Sequence, residues 1–172
     1  SLWGVKEDVY CAGKDSTFVF LEDVLTEVTD LFPYELVHIG GDECPKARWK
    51  ECPRCQRRMR DEGLGSEEEL QSYFVRRIER FLASRNRRMV GWDEIRQGGL
   101  SETAIVLSRK REQGLRSALE NGNDVIMTPY LNCYFDYYQG SRETEPLAFG
   151  GFLPLRTAYD LDPFEGLNGS RS

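Results

Sequence analysis

Apolar residues recur at helical spacing in two long stretches of the chain. Residues 17–32, TFVFLEDVLTEVTDLF, place Phe20, Leu21, Val24, Leu25, Val28, Leu31 and Phe32 on such a repeat, which predicts an amphipathic helix. Ser16 stands where a capping hydroxyl belongs, and Pro33 follows the end. The stretch SEEELQSYFVRRIERFLASRN opens with Ser66 and Glu69, the spacing of a capping box, and predicts a second helix to about Arg85. A shorter helix is predicted over residues 111–121, REQGLRSALEN, closed by Asn121 and Gly122. Four short apolar runs break the helical period: LVHIG at 36–40, MVGW at 89–92, AIVLS at 104–108 and DVIMT at 124–128. LVHIG lacks polar alternation apart from His38, the pattern of a strand buried on both faces. Residues 44–65 are charged, contain Cys, Pro and Gly, and read as a long loop with room for a short helix. Beyond Pro129 the chain reads as aromatic and Gly/Pro-rich loops.

Short buried strands linked by crossover helices imply an α/β fold with a parallel sheet. Two architectures meet that description, an open doubly wound sheet and a (β/α)8 barrel. The chain has 172 residues, enough for one domain with a sizeable core. A full barrel takes about 250 residues, so four strands here amount to roughly half of one.

Charge narrows the partners. Lys and Arg total 23 against 29 Asp and Glu, a net charge of -6, which argues against nucleic acid or an anionic membrane as the main partner. No apolar run approaches membrane-spanning length, so no membrane insertion is expected. The first residues, SLWGVKEDVY, lack the basic start and apolar centre of a signal peptide. Five cysteines occur, at 11, 44, 52, 55 and 133. Cys52 and Cys55 form a CxxC, which is half of a zinc site or a redox pair. No second CxxC exists and the single histidine, His38, lies in a strand. The expectation is a loop pair with no structural zinc, and no cofactor.

The chemistry gathers just past the strands. LVHIG runs into Gly41, Asp42 and Glu43; MVG runs into Trp92, Asp93 and Glu94; DVIMT is followed by Tyr130, Asn132, Tyr134, Asp136 and Tyr137. Parallel α/β folds build their sites at strand C-termini. Aromatic rings offer flat apolar faces to sugar rings, and carboxylates accept bonds from sugar hydroxyls. Asp93 and Glu94 serve equally well as helix-capping acids.

HIGGDE resembles the HxGGDE signature of glycoside hydrolase family 20, the β-N-acetylhexosaminidases. GWDEI at 91–95 and YFDYYQG at 134–140 are similar to further segments of that family in the same order, and DVYCAGKDSTFVFLEDVLTEV and EPLAFGGFLPL resemble its bacterial members. The resemblance covers nearly the whole chain. It implies a partial (β/α)8 barrel, roughly its central to C-terminal half. It implies exo-hydrolysis of terminal β-linked N-acetylglucosamine or N-acetylgalactosamine from glycans, with retention and without a metal or organic cofactor. The substrate's own acetamido oxygen attacks the anomeric carbon to form an oxazolinium ion, outside the ordinary two-carboxylate scheme. By the same resemblance Glu43 is the general acid and then base, and Asp42 binds and orients the acetamido N–H. Neighbouring positions on an extended segment point different ways, so the two acids can serve different parts of the substrate. Trp92 matches the wall of the acetamido pocket, although a tryptophan there is also a plausible core residue. Tyr134 matches the tyrosine that binds the acetamido oxygen, and Asp136 an acid near the sugar hydroxyls; ordinary loop packing is the plainer reading of both. His38 would lie beneath the acids as an orienting partner, although a lone strand histidine is more often a satisfied core residue.

The chain departs from the family in three places. After AIVLS the family usually has tryptophan then arginine, and this chain has Arg109 and Lys110, so the second aromatic wall is expected to be missing or displaced. The family's early strands with a sugar-binding arginine, and its closing tryptophan-glutamate segment, have no counterpart within residues 1–172. The resemblance therefore implies a catalytic-barrel fragment over 1–172 with a disordered tail at 166–172, from a parent exported to the periplasm or cell exterior. Further barrel segments or self-association would be needed to complete it. The alternative is a catalytically inactive carbohydrate-binding or structural fragment.

Overall fold

A computed structural model describes residues 6–96, 98–110, 116 and 120–163. Four parallel strands form one sheet in chain order: β1 Leu36–His38, β2 Arg88–Trp92, β3 Ile105–Ser108 and β4 Asp124–Met127. The register sets Val37 against Met89, Val90 against Ile105 and Val106 against Val125. The parallel sheet expected from the four apolar runs is thus present, and Val90 and Val106 are buried within it. β1 is shorter and more open than its sequence suggested, with Leu36 and Val37 half-buried and His38 exposed, because among the described residues it has a strand neighbour, β2, on one side alone.

Helix α1 spans Asp15–Leu31 and helix α4 spans Glu67–Ser84. The α4 start follows the capping pattern, since Ser66 Oγ accepts the Glu69 N–H at 3.2 Å. The Glu69 carboxylate reaches back to the Gly65 N–H at 2.9 Å, one residue earlier than a standard capping box. For α1, Ser16 is not the cap. The helix is capped at Lys14, which gives no side-chain cap bond. Asp15 in its first turn is held instead by Arg58 at 2.8 Å and Arg77 at 2.7 Å. The hydrogen bond from Arg77 is the main influence drawing Asp15 below the usual carboxylate pKa.

The buried face of α1 also differs from the expected one. Phe18 and Thr29 are buried, with Leu21 and Leu25 packed beside them, whereas Phe20, Val24, Val28 and Leu31 face outward. The helix carries two apolar stripes, and periodicity cannot say which one meets the core. Phe18 decides it. Its ring stands edge-on to Tyr73 at 6.1 Å and packs on Phe74 at 4.8 Å, while the Arg77 guanidinium lies 3.9 Å from its centroid. From α4, Leu70, Val75, Ile78 and Leu82 complete the core against Met89 of β2.

Residues 44–65 are not a loop. They hold α2, Ala47–Glu51, and α3, Pro53–Asp61. Charge hid the pattern, because α3 buries only Cys55 and Met59. Pro53 starts α3, where its missing N–H costs nothing, and Cys52 is its N-cap. Two further short helices, α5 Tyr130–Cys133 and α6 Leu155–Tyr159, lie in the stretch read as loops. Most of the helix predicted over 111–121, and all of the 166–172 tail, fall outside the described residues.

This packing predicts that Phe18→Ala lowers stability by about 3–5 kcal/mol, as expected for a truncated buried aromatic. Phe18→Leu should lose clearly less. Urea unfolding midpoints at constant slope would measure both, and equal losses would refute the assigned role of the ring stack.

Candidate functional site

The site begins where β1 ends. Gly40 and Gly41 take positive φ values of 73° and 89°, and Glu43 follows at 47°. Glycine adopts that region freely, but glutamate does so at a cost. The acids therefore sit on a left-handed turn rather than on the extended segment expected from sequence. The turn still separates them. Asp42 is half-buried and Glu43 is exposed.

Two close approaches fix this turn. A Cβ on Gly41 would come 2.3 Å from Cγ2 of Ile95, and one on Gly91 would come 2.8 Å from Cδ1 of the same side chain. The Trp92 N–H donates to the Gly40 carbonyl at 2.9 Å. The glycines of HIGG and of GW are thus parts of one contact. Ile95 itself lies in a 3-10 turn, Asp93–Arg96, that follows β2 directly.

Beneath the turn, Gln71 of α4 is buried and acts as a clamp. Its Nε2 donates to the Gly41 carbonyl at 2.8 Å, and its Oε1 accepts from Lys46 Nζ. Lys46 also donates to the Cys44 carbonyl at 2.8 Å. Gln71 escaped the sequence reading. Its polarity alone did not mark it, since α4 also buries Ser72 and Glu79.

The centre of the site is Arg109, which leaves the end of β3. Its guanidinium lies 3.3 Å from Asp42, 3.9 Å from Asp93 and in direct contact with Glu94. It also lies 4.8 Å from the centroid of the Trp92 ring, a cation–π distance. The hydrogen bond to Glu94, with lesser help from Tyr134 and Asp42, raises the Arg109 pKa further. Burial, with the adjacent Glu94, pushes Asp93 above the usual carboxylate range. Burial is the largest single influence on Glu94 and pushes it up, but the bond from Arg109, the adjacent Asp93, a backbone bond and the charge of Arg109 together outweigh burial and leave Glu94 below its usual value. The second oxygen of Glu94 is buried without a hydrogen-bond partner among the described residues. Asp93 and Glu94 are therefore charge partners of Arg109, and sequence reasoning saw Arg109 only as a lost tryptophan.

The other expected residues fall into place around this centre. Trp92 is half-buried, with His38 edge-on at 5.2 Å. His38 does not lie beneath the acids as a bonded partner. Its Nδ1 accepts the Gly40 N–H at 3.1 Å, so it braces the turn from outside. Partial desolvation lowers its pKa against an opposing pull from Asp42. Tyr134 helps raise the Arg109 pKa and meets Tyr130 and Tyr137 in a run of rings 6.4 and 5.8 Å apart. Asp136 is exposed; its carbonyl accepts the Phe149 N–H at 3.0 Å, and among the described residues no bond joins its carboxylate to the Arg109 group. On the far side of the turn a cavity of about 290 Å³ opens between Tyr10, Asp42, Glu43, Trp49 and Phe74.

Residues 1–171 match the glycosyl hydrolase family 20 catalytic domain. The chain is 53% identical to a β-hexosaminidase of Porphyromonas gingivalis, over 94% of its own length and 21% of that protein. It is 36% identical to a β-hexosaminidase of Vibrio furnissii, over 91% of the chain and 26% of the relative. Among solved structures it superposes on a Vibrio harveyi family 20 exo-β-N-acetylglucosaminidase bound to N-acetylglucosamine with a TM-score of 0.85. There the identity is 31%, and coverage is 96% of this chain and 26% of that one. A β-N-acetylhexosaminidase of Bacteroides fragilis gives a TM-score of 0.81 at 28% identity, covering 92% of this chain and 33% of that one. The chain thus spans about a fifth to a third of the length of these relatives. The parallel sheet, with the acid pair at its C-terminal end, is therefore part of a TIM-barrel catalytic domain, and the chain belongs to glycosyl hydrolase family 20.

Proposed function

We propose that the protein carrying this chain is an exo-β-N-acetylhexosaminidase that works by a retaining, substrate-assisted mechanism on glycans ending in N-acetylhexosamine. The observation that carries the reading is the acid pair itself. Asp42 is fixed by the Arg109 guanidinium, whereas the neighbouring Glu43 carboxylate stands exposed on a left-handed turn with no bond to it among the described residues. An orienting group has to be rigid. A group that first gives a proton to the departing oxygen and then takes one from the water arriving on the same face has to stand where both can come and go.

In this reading Asp42 accepts the acetamido N–H and turns the carbonyl oxygen toward the anomeric carbon. Bond formation from that oxygen expels the aglycone, and Glu43 transfers its proton to the leaving oxygen. The cationic ring that results is stabilised by the negative charge of Asp42. Glu43, now a carboxylate, takes a proton from the water that opens the ring, which restores the acid with net retention. Trp92 and Tyr134 supply the flat face and hydroxyl for the acetamido group, with Asp136 at the sugar rim. Arg109 replaces the expected second aromatic wall by covering the Trp92 face with a paired cation. Further barrel strands, or a second copy, complete the sugar site beyond the four strands described here.

Two predictions test this. In the full-length protein, Glu43→Gln should slow hydrolysis by about 10²–10⁴ for poor leaving groups and far less for nitrophenolate. Asp42→Asn should slow all acetamido substrates alike, by about 10²–10³. Successive fluorination of the acetamide should slow the parent in steps. Rates insensitive to fluorination would refute substrate assistance, and an unchanged rate in both variants would favour a non-catalytic carbohydrate-binding role. Separately, Gln71→Leu leaves the Gly41 carbonyl and Lys46 without their partner. It should cost about 1–3 kcal/mol of stability and lower kcat with little change in KM. Wild-type kcat in that variant would refute the clamp.

A further inference from the structure

Cys11, Cys52 and Cys55 come together from segments some forty residues apart. Cys11 Sγ lies 3.7 Å from Cys52 Sγ and 3.7 Å from Cys55 Sγ. All three ligand atoms lie within 4.8 Å of one another, with Cys55 buried and the other two half-buried. The expectation of no zinc rested on the CxxC standing alone, and Cys11 removes that premise. Zinc–sulfur bonds of about 2.3 Å place two tetrahedral ligands about 3.8 Å apart, close to the 3.7 Å between Cys11 and each of the other two sulfurs. A disulfide needs sulfurs at about 2.05 Å and would strand one thiol of the three.

The backbone is shaped for this cluster. Cys52 stands at the N-cap of α3 without a side-chain cap bond, so its sulfur is left for the cluster. A Cβ on Gly13 would come 2.2 Å from the Arg54 carbonyl carbon. Only glycine lets the 11–14 loop lie this close to the CxxC.

We propose that Cys11, Cys52 and Cys55 supply three ligands of a structural zinc site. No fourth ligating atom joins this group among the described residues. The ion would pin the loop before α1 to the start of α3. That same loop presents the Tyr10 carbonyl to the Trp49 indole N–H at 2.9 Å, and Trp49 lines the cavity beside Glu43. The site would hold the outer wall of the acid turn and take no part in the chemistry.

The test uses full-length protein purified without chelator. Elemental analysis should find stoichiometric zinc that is lost in Cys11→Ser and Cys52→Ser and kept in Cys133→Ser. Should the serine variants fail to fold, wild type decides the matter. Chelation should lower its Tm by on the order of 5 °C, zinc but not magnesium should restore it, and cobalt in place of zinc should give thiolate charge-transfer absorption and tetrahedral visible bands. Metal-free protein with unchanged Tm and no cobalt spectrum would overturn the proposal. So would peptide mapping of unreduced protein that finds Cys11 joined to Cys52 or Cys55.

Discussion

Three carboxylates from two strand ends converge on one guanidinium, and the local structure follows from that. Asp42 leaves β1, Asp93 and Glu94 leave β2, and Arg109 leaves β3. Without the cation these acids would repel one another in a half-buried setting, where charge is poorly screened. With it, the ends of three neighbouring strands are tied together at the face where a parallel α/β fold places its chemistry. The Trp92 ring takes the remaining face of the guanidinium. A planar cation suits this task better than an ammonium, since it can stack on a ring while its edges meet carboxylates.

Such convergence also needs the backbones to approach. Gly41 and Gly91 both lie against Ile95 at distances no Cβ would tolerate. The space freed is filled by an apolar side chain, so the acid turn rests on a dry support. The strain in the turn, a glutamate at positive φ, is held by the Gln71 bond to the Gly41 carbonyl and the His38 bond from the Gly40 N–H. Strained residues of this kind persist where their surroundings over-determine them.

Much of this was legible in the sequence. The four strands show as short apolar runs, although only β2 and β3 are largely buried while β1 and β4 stand partly open, and α4 shows because its cap and apolar stripe agree. HIGGDE and GWDEI marked the strand ends where the acids and Trp92 lie. The misses have physical causes. Helix α1 has two apolar stripes, and choosing between them requires knowing that Phe18 meets Tyr73 and Phe74. Helices α2 and α3 bury so few side chains that their charge looks like a loop. Arg109 appeared as a loss because its value depends on acids distant in sequence. Cys11 looked isolated for the same reason, since the 41 and 44 residues that separate it from its partners vanish only in the fold.

The two acids differ in mechanical support, and the asymmetry matters for chemistry. Asp42 is held by a paired cation, and the peptide before it is clamped to α4. Glu43 is held by its backbone alone, at a φ of 47°, and its side chain is exposed. A carboxylate that must orient a neutral amide gains from rigidity, because each misplaced fraction of an ångström weakens attack. A carboxylate that protonates a leaving oxygen and later deprotonates a water on that same face gains instead from standing at the open side of the site, where aglycone and water exchange. The one methylene by which Glu43 exceeds Asp42 does not by itself separate these needs; backbone conformation does. Two adjacent acids after a buried strand are thus given distinct mechanical settings by one left-handed turn.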